Sequence, residues 1–170
     1  MKLQSEKCKN KYLIQCLIFT ILLLVLVTDQ LSKNYVLSII NDKQDIIHLA
    51  PFLNITLVWN KGVTFGMFSD VPYGKMIITL FNIILTMVLF IWMIRSSEKI
   101  EKYAIAMIIG GALGNIIDRV RFGAVVDFID LYIYSYHWYV FNIADGAICL
   151  GVMILLYLNI TSNNKKLKKP

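Results

Sequence analysis

Four apolar runs divide the chain, and its polar residues gather where those runs end. The runs are Tyr12 to Thr28, Met76 to Ile94, Tyr103 to Val120 and Val140 to Ile160. Each approaches the ~20 residues that a helix needs to cross a hydrocarbon core, the first and third on the short side. A helix satisfies its own backbone inside lipid, so the pattern predicts a membrane all-α fold of four transmembrane helices. Residues 38–73 form a long connection after the first run. Within it Ile55-Thr56-Leu57-Val58-Trp59 is β-branched and aromatic and ends at the turn-like Asn60-Lys61-Gly62, which predicts a small β-element. Residues 121–139 are rich in rings, among them Phe122, Phe128, Tyr132, Tyr134, Tyr136, Trp138 and Tyr139, as suits the boundary between lipid and water.

Composition agrees with a membrane class. Hydrophobic residues make up 58% of the 170 positions and the mean hydropathy is +0.65, against roughly 45–50% apolar in soluble domains. The length suits one integral domain over residues 1–170 rather than two. The net charge of +6 is informative through its placement. Lys2, Lys7, Lys9 and Lys11 precede the first run, Arg95, Lys99 and Lys102 lie between the second and third, and Lys165, Lys166, Lys168 and Lys169 follow the fourth. Four crossings put these groups on one side, which the positive-inside rule assigns to the cytoplasm. Tails 1–11 and 161–170 are then cytoplasmic, and loops 38–73 and 121–139, with the β-element, extracytoplasmic. Arg119 and Arg121 oppose the rule. No basic stretch is interleaved with aromatics as single-stranded nucleic acid requires, so no nucleic-acid partner is expected.

The first run is not followed by a small-x-small cleavage site; the chain continues Val27-Thr28-Asp29-Gln30, so a retained anchor is expected. Leu13-Ile14-Gln15-Cys16 resembles a lipid-attachment box weakly, and its Cys precedes the apolar run instead of following it. Cys8, Cys16 and Cys149 show no CxxC spacing and are read as small apolar fillers. No metal or cofactor is expected.

With this topology Asp29 and Lys33, at the end of the first run, share one membrane depth with Asn115, Asp118 and Arg119 of the third. Asn142 and Asp145 of the fourth, Asn60 and Gly62 of the loop, and Asp127 reach the same boundary. Gly110, Gly114 and Asp118 recur on one helical stripe, and Gly111, Asn115 and Arg119 on the next. Glycines permit close helix approach, so the third helix is expected to pack tightly along the stripe that carries the polar groups. The i,i+4 spacing of Asp29 and Lys33 predicts an intrahelical ion pair. Asp118 and Arg119 are expected in structural ion pairs or hydrogen bonds, which would explain an arginine on the wrong side.

Asp127 and Asp145 stand apart. An ionisable group at membrane depth costs several kcal/mol unless paired or wet, which makes function the default hypothesis. Two carboxylates held together cannot both ionise cheaply, so one keeps a proton near neutral pH, as in aspartic hydrolysis. The ionised member activates a water and the protonated one polarises the scissile carbonyl; which is which, the residues leave open. A serine enzyme would have to use Ser32 and Lys33, which diverge on a helix. A zinc protease lacks HExxH, with His48 and His137 isolated in sequence. A proton-coupled transporter would place its acids nearer the midplane, and a scaffold accounts for the glycines alone.

Five segments, in order, resemble the lipoprotein signal peptidases, the type II bacterial signal peptidases. These are Asp29-Gln30-Leu31-Ser32-Lys33, Asn60-Lys61-Gly62-Val63-Thr64-Phe65-Gly66, the run Gly110 to Arg119, Val125-Val126-Asp127-Phe128 and Phe141-Asn142-Ile143-Ala144-Asp145. Val63 departs from the alanine usual in that family. The resemblance implies catalytic Asp127 and Asp145, supported by Asp29, Lys33, Asn60, Gly62, Asn115, Asp118, Arg119 and Asn142. It implies a membrane aspartic endopeptidase of the bacterial inner membrane, expected as a monomer amid membrane lipid, with its site at the outer face. It also implies a mobile outer loop and a substrate: a prolipoprotein whose cysteine carries diacylglycerol, cut on the amino side of that cysteine.

Overall fold

The computed structural model describes residues 2–40, 45–62 and 73–167, with side chains between residues 12 and 162 of those stretches. Four helices carry the fold: α1 (Lys2–Ile39), α2 (Gly74–Arg95), α3 (Lys99–Phe122) and α4 (Ile143–Leu167). Spans within them, Tyr12–Ile39, Gly74–Arg95, Lys99–Phe122 and Ile143–Ser162, are long and apolar enough to cross a membrane. Their outward faces expose large apolar side chains such as Leu24, Leu80, Val88 and Leu156, which only a lipid solvent makes favourable over so many turns. This is a multi-pass membrane protein.

The helices run past the apolar stretches that announce them. α1 continues to Ile39, so Asp29 and Lys33 lie inside the helix and not at its end. α3 is the central element and packs on α1, α2 and α4, whereas α2 and α4 scarcely touch each other. The two adjacent glycine stripes of α3 explain how it serves two neighbours at close range. A Cβ on Gly110 would stand 2.8 Å from the Leu22 carbonyl oxygen of α1. One on Gly111 would stand 2.5 Å from the Ala144 carbonyl oxygen of α4, and one on Gly114 would run into the Asp29 carboxylate. α4 reciprocates: a Cβ on Gly151 would lie 2.7 Å from the Ala104 carbonyl oxygen. Backbones that approach this closely gain packing contact that lipid cannot replace. Ile105, Ala106, Ile109 and Met93 fill the core below the polar layer, with Leu22, Leu89 and Leu155 against them.

At one end of the bundle sits an antiparallel sheet of four strands in the order β1 (Ile47–Ala50), β2 (Leu53–Asn60), β3 (Val125–Ile133) and β4 (Tyr136–His137). The expected element around Ile55 to Trp59 is β2. The other strands were not anticipated: residues 121–139 read as an aromatic loop, yet most of them are β3 and β4. Val125 to Phe128 are buried on both faces, so β3 lacks the in–out alternation that identifies a strand. The prolonged α1 supports this sheet, with Val36 and Ile40 packed against Leu57, Val126 and Phe128. Gly123 ends α3 in the left-handed region at φ 70°, a conformation glycine adopts without penalty. That turn delivers the chain directly into β3.

Candidate active site

A buried ion cluster lies between α1 and α3. The Lys33 ammonium is 2.7 Å from Asp29 and 2.8 Å from Asp118, and all three side chains are at most 1% exposed. The intrahelical pair expected from sequence is present, but it is enclosed and shared with a second acid. Each carboxylate also accepts a backbone amide. Ala144 N–H donates to Asp29 at 2.9 Å, and Val126 N–H donates to Asp118 at 3.2 Å. The cluster thereby fixes the start of α4 and the start of β3, the two elements that carry Asp145 and Asp127. Gln30 completes it, donating to Asp118 at 2.9 Å and to the Gly114 carbonyl at 3.2 Å. Gln30 lies within a recognised segment but was not among the expected site residues; an amide beside Asp29 gives no periodic signal of its own.

Asn115 connects this cluster to the two acids. Its carbonyl oxygen accepts from Lys33 at 3.1 Å and from Asn142 at 3.2 Å, and its amide donates to Asp145 at 2.8 Å. Asn142 immediately precedes α4 and acts as its N-cap, its side-chain oxygen accepting the Asp145 N–H at 2.9 Å, as capping residues do. The amide of Asn142 points the other way, 2.6 Å from Asp127. Asp127 and Asp145 are therefore joined through two asparagines, Asn142 and Asn115. Asp145 sits in the first turn of α4, where the helix dipole favours an anion.

Sheet register sets the other side of Asp127. Val58 of β2 lies opposite Asp127, and Asn60, two residues on, shares the face. The Asn60 amide donates to the second Asp127 oxygen at 3.0 Å, and its carbonyl accepts the Gly62 N–H at 3.1 Å. Asp127 is wholly buried. Burial, then the nearby Asp145 charge, push its carboxyl up to about 7, against the pull of the Asn60 and Asn142 amides. A carboxyl that holds its proton near neutrality is suited to acid chemistry.

Arg119 is held by hydrogen bonds, one of the two arrangements expected, and not by an ion pair with Asp118. Its hydrogen bonds run to the Asn115 carbonyl and the Gly62 carbonyl, both at 3.4 Å. Asp118 instead faces Lys33 and Gln30. The reason is helical: adjacent residues point about 100° apart, so Asp118 faces α1 while Arg119 faces the opening. His48 and His137, isolated in sequence, are brought into one line by the sheet. His48 meets Asn54 at 2.8 Å, Asn54 donates to Asp130 at 3.0 Å, and Asp130 meets His137 at 2.9 Å.

A cavity of about 980 Å³ opens beside the acids. Asn60, Gly62, Asn115, Arg119 and Asp145 line its polar end, Trp138 and Tyr139 its rim, and apolar residues of α2, α3 and α4 its depth. Asp127 is not on the wall; it lies behind Asn60. Residues 63–66 of the recognised Asn60 segment fall outside the described residues.

The family model described as Signal peptidase (SPase) II matches residues 21–161. A lipoprotein signal peptidase of Pelagibacter ubique is 41% identical over 150 residues, 86% of this chain and 89% of that protein. One of Anaplasma phagocytophilum is 35% identical, covering 85% of this chain and 92% of its own. Among solved structures, a bacterial membrane enzyme determined by the in meso method at 2.3 Å superposes with a TM-score of 0.79 at 31% identity, covering 90% of this chain and 93% of that one. A second, at 1.9 Å, gives 0.72 at 34% identity, covering 83% and 90%.

Proposed function

The chain belongs to the signal peptidase II family, a family of proteases, and we propose that it removes the signal peptide of diacylglyceryl-modified bacterial prolipoproteins through an aspartic dyad of Asp127 and Asp145. The carrying observation is the bridge Asp127–Asn142–Asn115–Asp145 at 2.6, 3.2 and 2.8 Å. It holds two acids in one electrostatic unit, beside a cavity with a polar end and an apolar depth.

The geometry supports a division of labour. Asp127, held near 7 by burial and by Asp145, carries the shared proton. Asp145, on the cavity wall in the first turn of α4, serves as the base. It takes a proton from a water, which attacks the scissile carbonyl on the amino side of the lipidated cysteine. Asp127 polarises that carbonyl past Asn60 by donating a hydrogen bond, and the proton taken up by Asp145 then passes to the leaving amine as the C–N bond breaks.

Arg119 and Gly62 face the incoming peptide, while Asp29, Lys33 and Asp118 set the framework. The apolar part of the cavity suits acyl chains and the signal helix, entering between α2 and α4. Both termini would face the cytoplasm and the sheet the outer surface of the inner membrane, with the protein acting as a monomer. Incubation of the purified protein with a lipidated precursor peptide and its unlipidated twin tests the reading. Cleavage of the lipidated peptide alone is expected; equal cleavage of both, or of neither, refutes it.

A further inference from the structure

α2 carries one side chain that its own fold leaves unused. Three uncharged polar residues, Thr79, Asn82 and Thr86, lie along its middle. The two hydroxyls are satisfied within the helix, Thr79 donating to the Lys75 carbonyl and Thr86 to the Asn82 carbonyl, both at 2.7 Å. Threonines back-bonded in this way present an apolar methyl to their surroundings. The Asn82 carboxamide has no hydrogen-bond partner among the described residues. It is half-buried and lines the cavity, roughly 12 Å along α2 from Gly74 at 1.5 Å per residue. Its neighbours on the cavity wall are apolar: Ile78, Phe81, Leu85, and Ile108 and Ile148 across the cleft.

An asparagine at this depth is expensive. A primary amide left without partners in a hydrocarbon setting costs several kcal/mol. The cost is avoided when a ligand in the cavity completes the bonding. An occupant of an otherwise apolar slot is selected by whatever polar atom it brings to that level, because polar groups placed singly in apolar pockets fix orientation.

We propose that Asn82 is a substrate-binding residue whose amide donates to a carbonyl oxygen of the bound substrate, below the level of the acids. This rests on the peptidase reading above. Two carbonyl sources reach that depth: a glycerol ester of the lipidated cysteine, and a backbone carbonyl of the signal peptide where it unwinds towards the cut. Among the described residues the Asn82 side chain makes no hydrogen bond to the groups around the acids, so its bond persists from bound substrate to transition state. Uniform binding of that kind appears in KM and leaves kcat alone.

The test compares wild type with Asn82→Leu on two lipidated precursor peptides, one with ester-linked chains and one with ether-linked chains that lack the carbonyls. Asn82→Leu is expected to raise KM about three- to tenfold, the worth of one net hydrogen bond, with kcat unchanged. A rise confined to the ester substrate, with wild type already weakened on the ether, assigns the glycerol ester. An equal rise on both assigns the peptide backbone. Asn82→Ala must reproduce the result; a loss with leucine alone is obstruction of the cleft and overturns the proposal. An unchanged KM, or a fall in kcat at constant KM, also overturns it. Wild-type protein that cuts neither peptide refutes the peptidase reading itself, a result distinct from any change between variants.

Discussion

Asp29 of the first transmembrane helix accepts the backbone N–H of Ala144, the second residue of the fourth, at 2.9 Å. An acid far away in sequence thus satisfies a helix-start donor that would otherwise be orphaned in a buried place. Its neighbour in the chain, Asp145, is one of the two acids on which the proposed chemistry depends. The buried ions Asp29, Lys33 and Asp118 make no chemical contact with the cavity, but they hold the parts that do.

Asp127→Asn and Asp145→Asn are each expected to lower cleavage by about 10²-fold or more, the usual weight of a positioned acid or base. Both variants should insert and accumulate normally. Quantifying processed product beside membrane-extracted protein separates the two effects. Near-normal cleavage by either variant removes the dyad.

The pH profile should have an alkaline limb. As pH rises through about 7, Asp127 loses the proton it is proposed to donate, and kcat/KM falls. The Asn60 amide favours the ionised form of Asp127. Asn60→Ala should therefore move the limb to higher pH, which a rate profile between pH 5 and 9 on both proteins would reveal.

The same group predicts a trend in stability. The folded-state carboxyl lies near 7 against an ordinary 3.8, so its contribution is present in full below the lower value. It is lost progressively as pH rises to about 7, and is level above that. Thermal midpoints of wild type, taken relative to Asp127→Asn across this window, should decline and then plateau. A constant difference would show that the buried carboxyl is not perturbed.

Lys33→Met leaves two buried carboxylates without their cation. Removing one partner of such a cluster costs about 3–5 kcal/mol, and the variant should melt earlier and accumulate less. Adding Asp118→Asn to it should recover part of the loss. A wild-type melting curve for Lys33→Met alone would mean that the cluster does not hold the fold.

Gly111→Ala should impair catalysis more than stability. The new methyl meets the Ala144 carbonyl oxygen at 2.5 Å and pushes the start of α4 outward, taking Asp145 with it. Misplacement on the order of 1 Å costs roughly 10²-fold in rate. Gly146→Ala is the control, since a Cβ there meets nothing within 4 Å, and its kcat should stay near wild type.

Much of this architecture is legible in the residue order because lipid imposes simple rules. Runs near twenty apolar residues must be helices, and glycines four apart on α3 must mark close neighbours. Convergence of Asp29, Lys33, Asn115, Asp118, Asn142 and Asp145 follows once alternate crossings are counted. Partner choice was not legible. Asp118 and Arg119 are adjacent, and only the direction of the α1 contact decides that Asp118 takes Lys33. β3 was hidden because a strand buried on both faces has no polar alternation. The asparagine bridge between Asp127 and Asp145 needs three elements at once, and no local pattern encodes that.

The gap between α2 and α4 has a kinetic corollary. Among the described residues no helix closes that side, so the proposed lipid-anchored substrate would arrive by lateral diffusion without leaving the bilayer. Collisions then depend on how many precursors share each patch of lipid, not on how many share a volume of buffer. Diluting detergent micelles or vesicles with inert lipid should slow turnover at fixed bulk concentration, whereas adding water alone should leave it nearly unchanged.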